Sequence, residues 1–168
     1  MSKGKLLHVG CGSATLPDWL AGYDEVRLDI DPLTSPDIVA PMDNLGDIGG
    51  FDIVLSIHAI EHVFPHEVDK TLQEFKRVLK VGGCAIVFVP DLTDIKPTNE
   101  VLYTAPCGDI TGLDMYYGKA SFIAENPFMA HKTGFTRDTL LETLKRAGFS
   151  KCEIKNVTQY NLMGVGVK

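Results

Sequence analysis

Leu6-Leu7-His8-Val9-Gly10-Cys11-Gly12-Ser13-Ala14-Thr15 is the stretch on which the fold turns. It reads as an apolar strand running into a Gly-x-Gly turn, and the next apolar run, Glu25 to Asp29, ends on an acid. Glycines at such a turn let the backbone approach a ligand closely. An acid at the tip of the second strand can accept hydrogen bonds from both hydroxyls of a ribose, and the two features together describe a nucleoside site. Thr15 occupies the place of the third glycine of the dinucleotide fingerprint. That weakens pyrophosphate binding more than nucleoside binding and speaks against a nicotinamide dehydrogenase. The plainer alternative is two turn glycines and a surface aspartate.

Working outward, further apolar runs follow at Asp37 to Ala40, Phe51 to Ile57 and Cys84 to Val89, with helical stretches between. Such alternation predicts βαβ units and a parallel sheet. The clearest helix runs from about Pro65 to Lys80, with Val68, Leu72, Phe75 and Leu79 as its apolar stripe and Gly82-Gly83 as its stop. A second starts at the N-cap Thr136, turns Leu140, Leu141, Leu144 and Ala147 inward, and ends at Gly148. Two closing β-like runs, Cys152 to Val157 and Leu162 to Val167, read as an antiparallel hairpin at the sheet edge. From about residue 91 to 136 the alternation fails, and Tyr103, Met115, Tyr116, Tyr117, Phe122, Phe128 and Met129 cluster there. A long insertion so rich in aromatics is expected to be an ordered lid over a binding site, or a satellite core beneath a loop.

The 168 residues are 45% hydrophobic and 23% charged with a net charge of -6, which suits one globular domain over the whole chain. No basic run is present, so nucleic acid and anionic lipid are not expected partners, and small molecules are. No stretch approaches the ~20 apolar residues that span a bilayer, and no signal peptide is evident, so the expected address is cytoplasmic. The four cysteines, Cys11, Cys84, Cys107 and Cys152, form no C-x-x-C pair and are expected to be reduced.

Five segments in order carry a resemblance: Val9-Gly10-Cys11-Gly12, Leu28-Asp29-Ile30-Asp31-Pro32, Phe51 to His62, Arg77-Val78-Leu79-Lys80-Val81-Gly82-Gly83, and Gly134-Phe135-Thr136 with Leu144 to Phe149. With these the chain resembles the class I S-adenosylmethionine-dependent methyltransferases over nearly its whole length. It looks most like small bacterial predicted methyltransferases of unassigned substrate, which share the Val89-Pro90-Asp91-Leu92 ending and a following insertion. The resemblance implies an α/β, Rossmann-like fold with a mostly parallel seven-stranded sheet, an antiparallel C-terminal strand and helices on both faces. It implies S-adenosylmethionine as cofactor, a small-molecule O or N acceptor and no required metal.

By position, the resemblance puts Gly10, Cys11 and Gly12 under the methionine part of the cofactor, Asp29 on the ribose and Ile30 beside the adenine. Ser56 and Ile57 would face the sulfonium and its methyl group. An Asp commonly ends the third strand in the family and helps hold the adenine. Pro41 stands there in this sequence, so Met42 or the displaced Asp43 would take that work. The family's N-terminal capping helices have no counterpart before Lys5, so the insertion, or a partner, would supply the cover. A homodimer through a sheet edge or the lid is an open alternative, as is a catalytically inactive binding or regulatory subunit.

Where an acceptor must lose a proton, a neutral histidine near the sulfonium is the natural base. His58 and His131 are the candidates, with His62 beside them. Asp91 and Asp114 are candidates for a polar or cationic acceptor, and Lys132 and Arg137 for an anionic group. The string His58-Ala59-Ile60-Glu61-His62 also matches the H-x-x-E-H of inverted zinc proteases. That motif must lie within a helix, whereas this one directly follows an apolar strand, and the protease reading is set aside.

Overall fold

The structure, a computed structural model, describes residues 2–168. The chain runs β1 (Lys5–Val9), β2 (Asp24–Asp29), β3 (Ile38–Val39), β4 (Phe51–Ile57), α1 (Val68–Val78) and β5 (Leu79–Pro90). It continues with β6 (Val101–Ala105), β7 (Gly108–Thr111), α2 (Gly112–Tyr117), α3 (Ala120–Glu125), α4 (Arg137–Arg146), β8 (Lys151–Thr158) and β9 (Asn161–Val167). Seven strands form one sheet in the order β3-β2-β1-β4-β5-β9-β8. β1 pairs in parallel with β2 and β4, β2 with β3, and β4 with β5. β9 inserts antiparallel between β5 and β8, as expected for a mostly parallel sheet with an antiparallel C-terminal strand.

The period-two alternation of the strands builds two apolar layers. Leu7, Val9, Val54, Ala85, Val87 and Val89 pack with Val68, Leu72, Phe75 and Val78 of α1 and with Leu140 and Leu144 of α4. Both long helices therefore share one face. Leu6, Ile53, Leu55 and Ile86 point the other way and meet Leu20, on a 3-10 turn at Asp18–Leu20. The two long helices thus cover one face, and the 3-10 turn bearing Leu20 packs on the other. No helix among the described residues is long and apolar enough to cross a membrane.

Two boundaries differ from the sequence expectation. α1 ends at Val78, not Lys80, because Leu79 is already extended and pairs with Phe51 as the first residue of β5. The inward stripe of α1 is accordingly Val68, Leu72, Phe75 and Val78. The irregular segment also holds more order than its sequence announces. A two-stranded hairpin, β6-β7, leads into α2, whose start is a capping box between Thr111 and Asp114. Thr136 does cap α4, with Thr139 as its reciprocal partner.

Candidate active site

The carboxyl ends of β1 to β4 open into one cavity of about 470 Å³, the place where open α/β sheets bind ligands. Its floor is the glycine turn after β1. Gly10 has φ +65 and Gly12 has φ +47, in the left-handed region that glycine adopts without penalty. A Cβ on Gly10 would strike the Cβ of Ala59, while one on Gly12 would meet nothing within 4 Å. The turn is tied from outside: Arg27 donates from Nη2 to the Gly12 carbonyl at 2.7 Å and from Nη1 to the Ala14 carbonyl at 2.7 Å.

Asp29 stands at the tip of β2, 8% exposed. Oδ2 accepts the Gly12 amide at 2.7 Å and Oδ1 the Asp31 amide at 2.9 Å. Each oxygen keeps a further lone pair, and the side chain lines the cavity. Asp31 accepts the Leu33 amide on Oδ1, and its Oδ2 accepts Asn126 Nδ2 at 3.0 Å. That contact draws the end of α3 over the mouth of the cavity. Ile30, Met42, Phe64, Phe128 and Met129 supply apolar walls. Asp43 lines the wall too and pairs with Lys70 at 2.9 Å, while Lys132 lies 4.7 Å over the Phe64 ring.

Of the residues singled out from sequence, Gly10, Cys11, Gly12, Asp29, Ile30, Met42, Ile57 and His58 all line this cavity. Ser56 and His131 do not. Ser56 sits one residue from Ile57 on β4, so the strand's alternation turns it toward the helix-covered layer. It is fully buried there, with no partner for Oγ. His131 lies behind the cavity wall, where Nδ1 meets the Met115 carbonyl at 3.0 Å and its ring contacts His62 at 5.1 Å between centroids. Burial pushes its imidazole pKa down. His58, at φ +48 just past β4, holds Nδ1 3.3 Å from Glu61 Oε1 with its side chain 45% exposed. Only His58, of the two proposed bases, faces the space where a substrate would lie.

The remaining sequence candidates have structural work. Asp91 accepts the Thr93 amide and Asn156 Nδ2, Asp114 closes the capping box of α2, and Arg137 donates to Asn156. The Tyr116 hydroxyl donates to the Ile95 carbonyl. The Asp31–Asn126 latch and the Arg27 brace escaped the sequence reading. Asn126-Pro127, a capping residue followed by proline at the first helical position, is the one local signal that marked a fixed turn there.

Residues 7–87 match the family profile described as "Methyltransferase domain". That stretch, from β1 into β5, is similar to methyltransferase domains. No curated protein matches the sequence. Solved structures share the fold of the whole chain. An S-adenosylmethionine-dependent methyltransferase from Mesorhizobium loti aligns at 18% identity and TM-score 0.68, over 99% of this chain and 92% of that one. The 1,6-didemethyltoxoflavin-N1-methyltransferase of Burkholderia thailandensis, crystallised with its substrate and S-adenosylhomocysteine, aligns at 16% identity and TM-score 0.67, over 99% of this chain and 72% of that one. A methyltransferase from Archaeoglobus fulgidus aligns at 15% identity and TM-score 0.66, over 98% and 86%.

His8, fully buried on β1, should make the fold acid-sensitive. Its Nδ1 lies 2.8 Å from Glu25 Oε1 and Nε2 has no partner. Burial lowers its pKa from 6.5, against the opposing pull of Glu25. The unfolded chain therefore takes up this proton first. The stabilising contribution is complete above about pH 6.5 and is lost as pH falls from there through the lowered native value. Melting temperatures measured down to about pH 5 should fall, and His8→Gln should flatten that part of the profile.

Proposed function

We propose that the protein transfers a methyl group from S-adenosylmethionine to a small-molecule acceptor through oxygen or nitrogen. The observation that carries this reading is Asp29. It is held by the Gly12 and Asp31 amides at the tip of β2, with its free lone pairs on a cavity large enough for a nucleoside. When bound, S-adenosylmethionine supplies a methyl carbon activated by positive sulfur. The chain's own part is positioning and exclusion of water. Asp29 accepts the two ribose hydroxyls, Ile30 and Met42 flank the base, and the Gly10–Gly12 turn lets the ligand lie against backbone. Asp29, Asp31 and Glu67 around the cavity outnumber Lys132, with Asp43 paired to Lys70, and so favour a cationic ligand over an anionic one. His58 is the base for an acceptor that must lose a proton.

Residues 91–136 serve as the lid in this reading, latched by Asn126 on Asp31. Asn126→Ala removes the hydrogen bond to the Asp31 carboxylate, about 1.5 kcal/mol, and with it the cap on the Phe128 amide at 3.0 Å. The expected result is roughly 10-fold faster release of bound nucleoside in stopped-flow experiments, with the melting temperature lowered by only a few degrees. Isothermal titration with S-adenosylmethionine and S-adenosylhomocysteine, with NADH as control, tests the reading as a whole. Binding of the sulfur nucleosides and not of NADH is expected, and no binding of either at millimolar ligand would overturn it.

A further inference from the structure

We propose that Glu61, His62 and His131 form a binding site for one divalent transition-metal ion of the zinc class, set against the inner wall of the cofactor cavity. Each residue offers one ligand atom, and the three atoms lie within 4.8 Å of one another. Tetrahedral ligands about 2.1 Å from zinc stand roughly 3.4 Å apart, so loading draws the side chains in by about 1 Å.

Three observations make this more than a cluster. First, both histidines are set in the metal-binding tautomer. His62 Nδ1 lies 3.1 Å from the Ala130 carbonyl and His131 Nδ1 lies 3.0 Å from the Met115 carbonyl. A carbonyl only accepts, so each Nδ1 carries the proton and each Nε2 keeps its lone pair. This is the backbone arrangement that orients histidine ligands in metal sites. Second, Glu61 is 1% exposed and its Oε2 has no hydrogen-bond partner, while Oε1 has only His58 at 3.3 Å. A buried carboxylate with a free oxygen is costly unless a cation meets it. Third, the two halves of the site are fastened together. The Glu61 carbonyl accepts the amides of Lys132 at 2.8 Å and Thr133 at 3.0 Å, which holds His131 against the turn that bears Glu61 and His62.

The geometry differs from the protease motif that the sequence string matches. His58 and His62 do not share a helix, since His58 follows a strand and His62 lies on the 3-10 turn Ile60–His62. The second histidine ligand comes from the insertion instead. The metal site does not rest on the methyl-transfer reading. That reading adds only that His62, which lines the cavity, would place an ion where oxygen atoms of an acceptor could be held.

The test is a titration of the intact chain, stripped with chelator and dialysed, with Co(II) chloride followed by visible absorption and then displaced with Zn(II). One equivalent is expected to bind, with the ligand-field bands of a four- or five-coordinate ion and without thiolate charge-transfer bands. Glu61→Gln and His131→Gln should each lower the affinity by about 100-fold. His66→Gln, an exposed histidine outside the cluster, should bind as the parent does. Circular dichroism identifies a variant that does not fold. Zn(II)-induced shifts of the histidine ring resonances in the unaltered chain then decide, and they should fall on His62 and His131. Absence of binding at millimolar Co(II), thiolate bands, affinity that survives both substitutions, or shifts confined to His8 and His66 would overturn the site.

Discussion

Asp29→Ala should weaken S-adenosylhomocysteine binding by about 100-fold or more in isothermal titration. Two hydrogen bonds to a charged acceptor contribute about 1.5 kcal/mol each at the lower end, together about 3 kcal/mol, and each 1.4 kcal/mol is a factor of ten. The substitution also strips the Gly12 and Asp31 amides of their acceptor, so the turn that forms the cavity floor loosens with it. Asp29→Asn separates the two effects. Its single amide oxygen can replace one of the carboxylate's contacts, and a loss of roughly 10-fold is expected. Equal binding by the parent and both variants would mean that the nucleoside, if it binds, lies elsewhere.

Gly10→Ala should destabilise the fold through backbone and packing together. At φ +65 an alanine costs about 1–2 kcal/mol of backbone conformation. Its Cβ also meets Ala59, which is buried, and overpacking of that kind costs about 1–3 kcal/mol. The combined loss of about 3 kcal/mol corresponds to a fall in melting temperature of roughly 10 °C for a domain of this size. Two comparisons isolate the causes. Gly10→Ala with Ala59→Gly should regain the packing part and not the conformational part, a coupling that a double-mutant cycle reads directly. Gly12→Ala shares the positive φ but has open space around its Cβ, so its cost should be that of the backbone alone, about 1–2 kcal/mol. Equal melting temperatures for the Gly10 and Gly12 variants would show that the contact with Ala59 carries no weight.

The legible parts of the molecule are those where a short segment dictates its own structure. Leu6 to Gly12 announces a buried strand and a turn that needs glycine, and the structure shows both, with the turn at the cavity floor. Thr136 caps α4 because a Ser/Thr side chain satisfies free amides wherever a helix begins. Eight of the ten proposed site residues line the cavity because strand tips in this topology converge at one edge of the sheet. The two that do not show what local sequence lacks. Ser56 and Ile57 are adjacent, and only the register of β4 against β1 and β5 decides which of them faces the ligand. His131 is separated from His62 by α1, β5 and most of the insertion, so their meeting depends on the docking of the insertion, as does the Asn126–Asp31 latch. The short β6-β7 hairpin and the helices α2 and α3 carry no periodicity long enough to stand out from an irregular loop.

The most direct test of the central claim is a crystal structure of the protein grown with S-adenosylhomocysteine. The account predicts density for the nucleoside in the cavity at the ends of β1, β2 and β4. The ribose hydroxyls should lie within hydrogen-bond distance of Asp29, the base beside Ile30 and Met42, and the sulfur toward His58. A ligand found away from Asp29, or a cavity that stays free of it at saturating concentration, would contradict that claim.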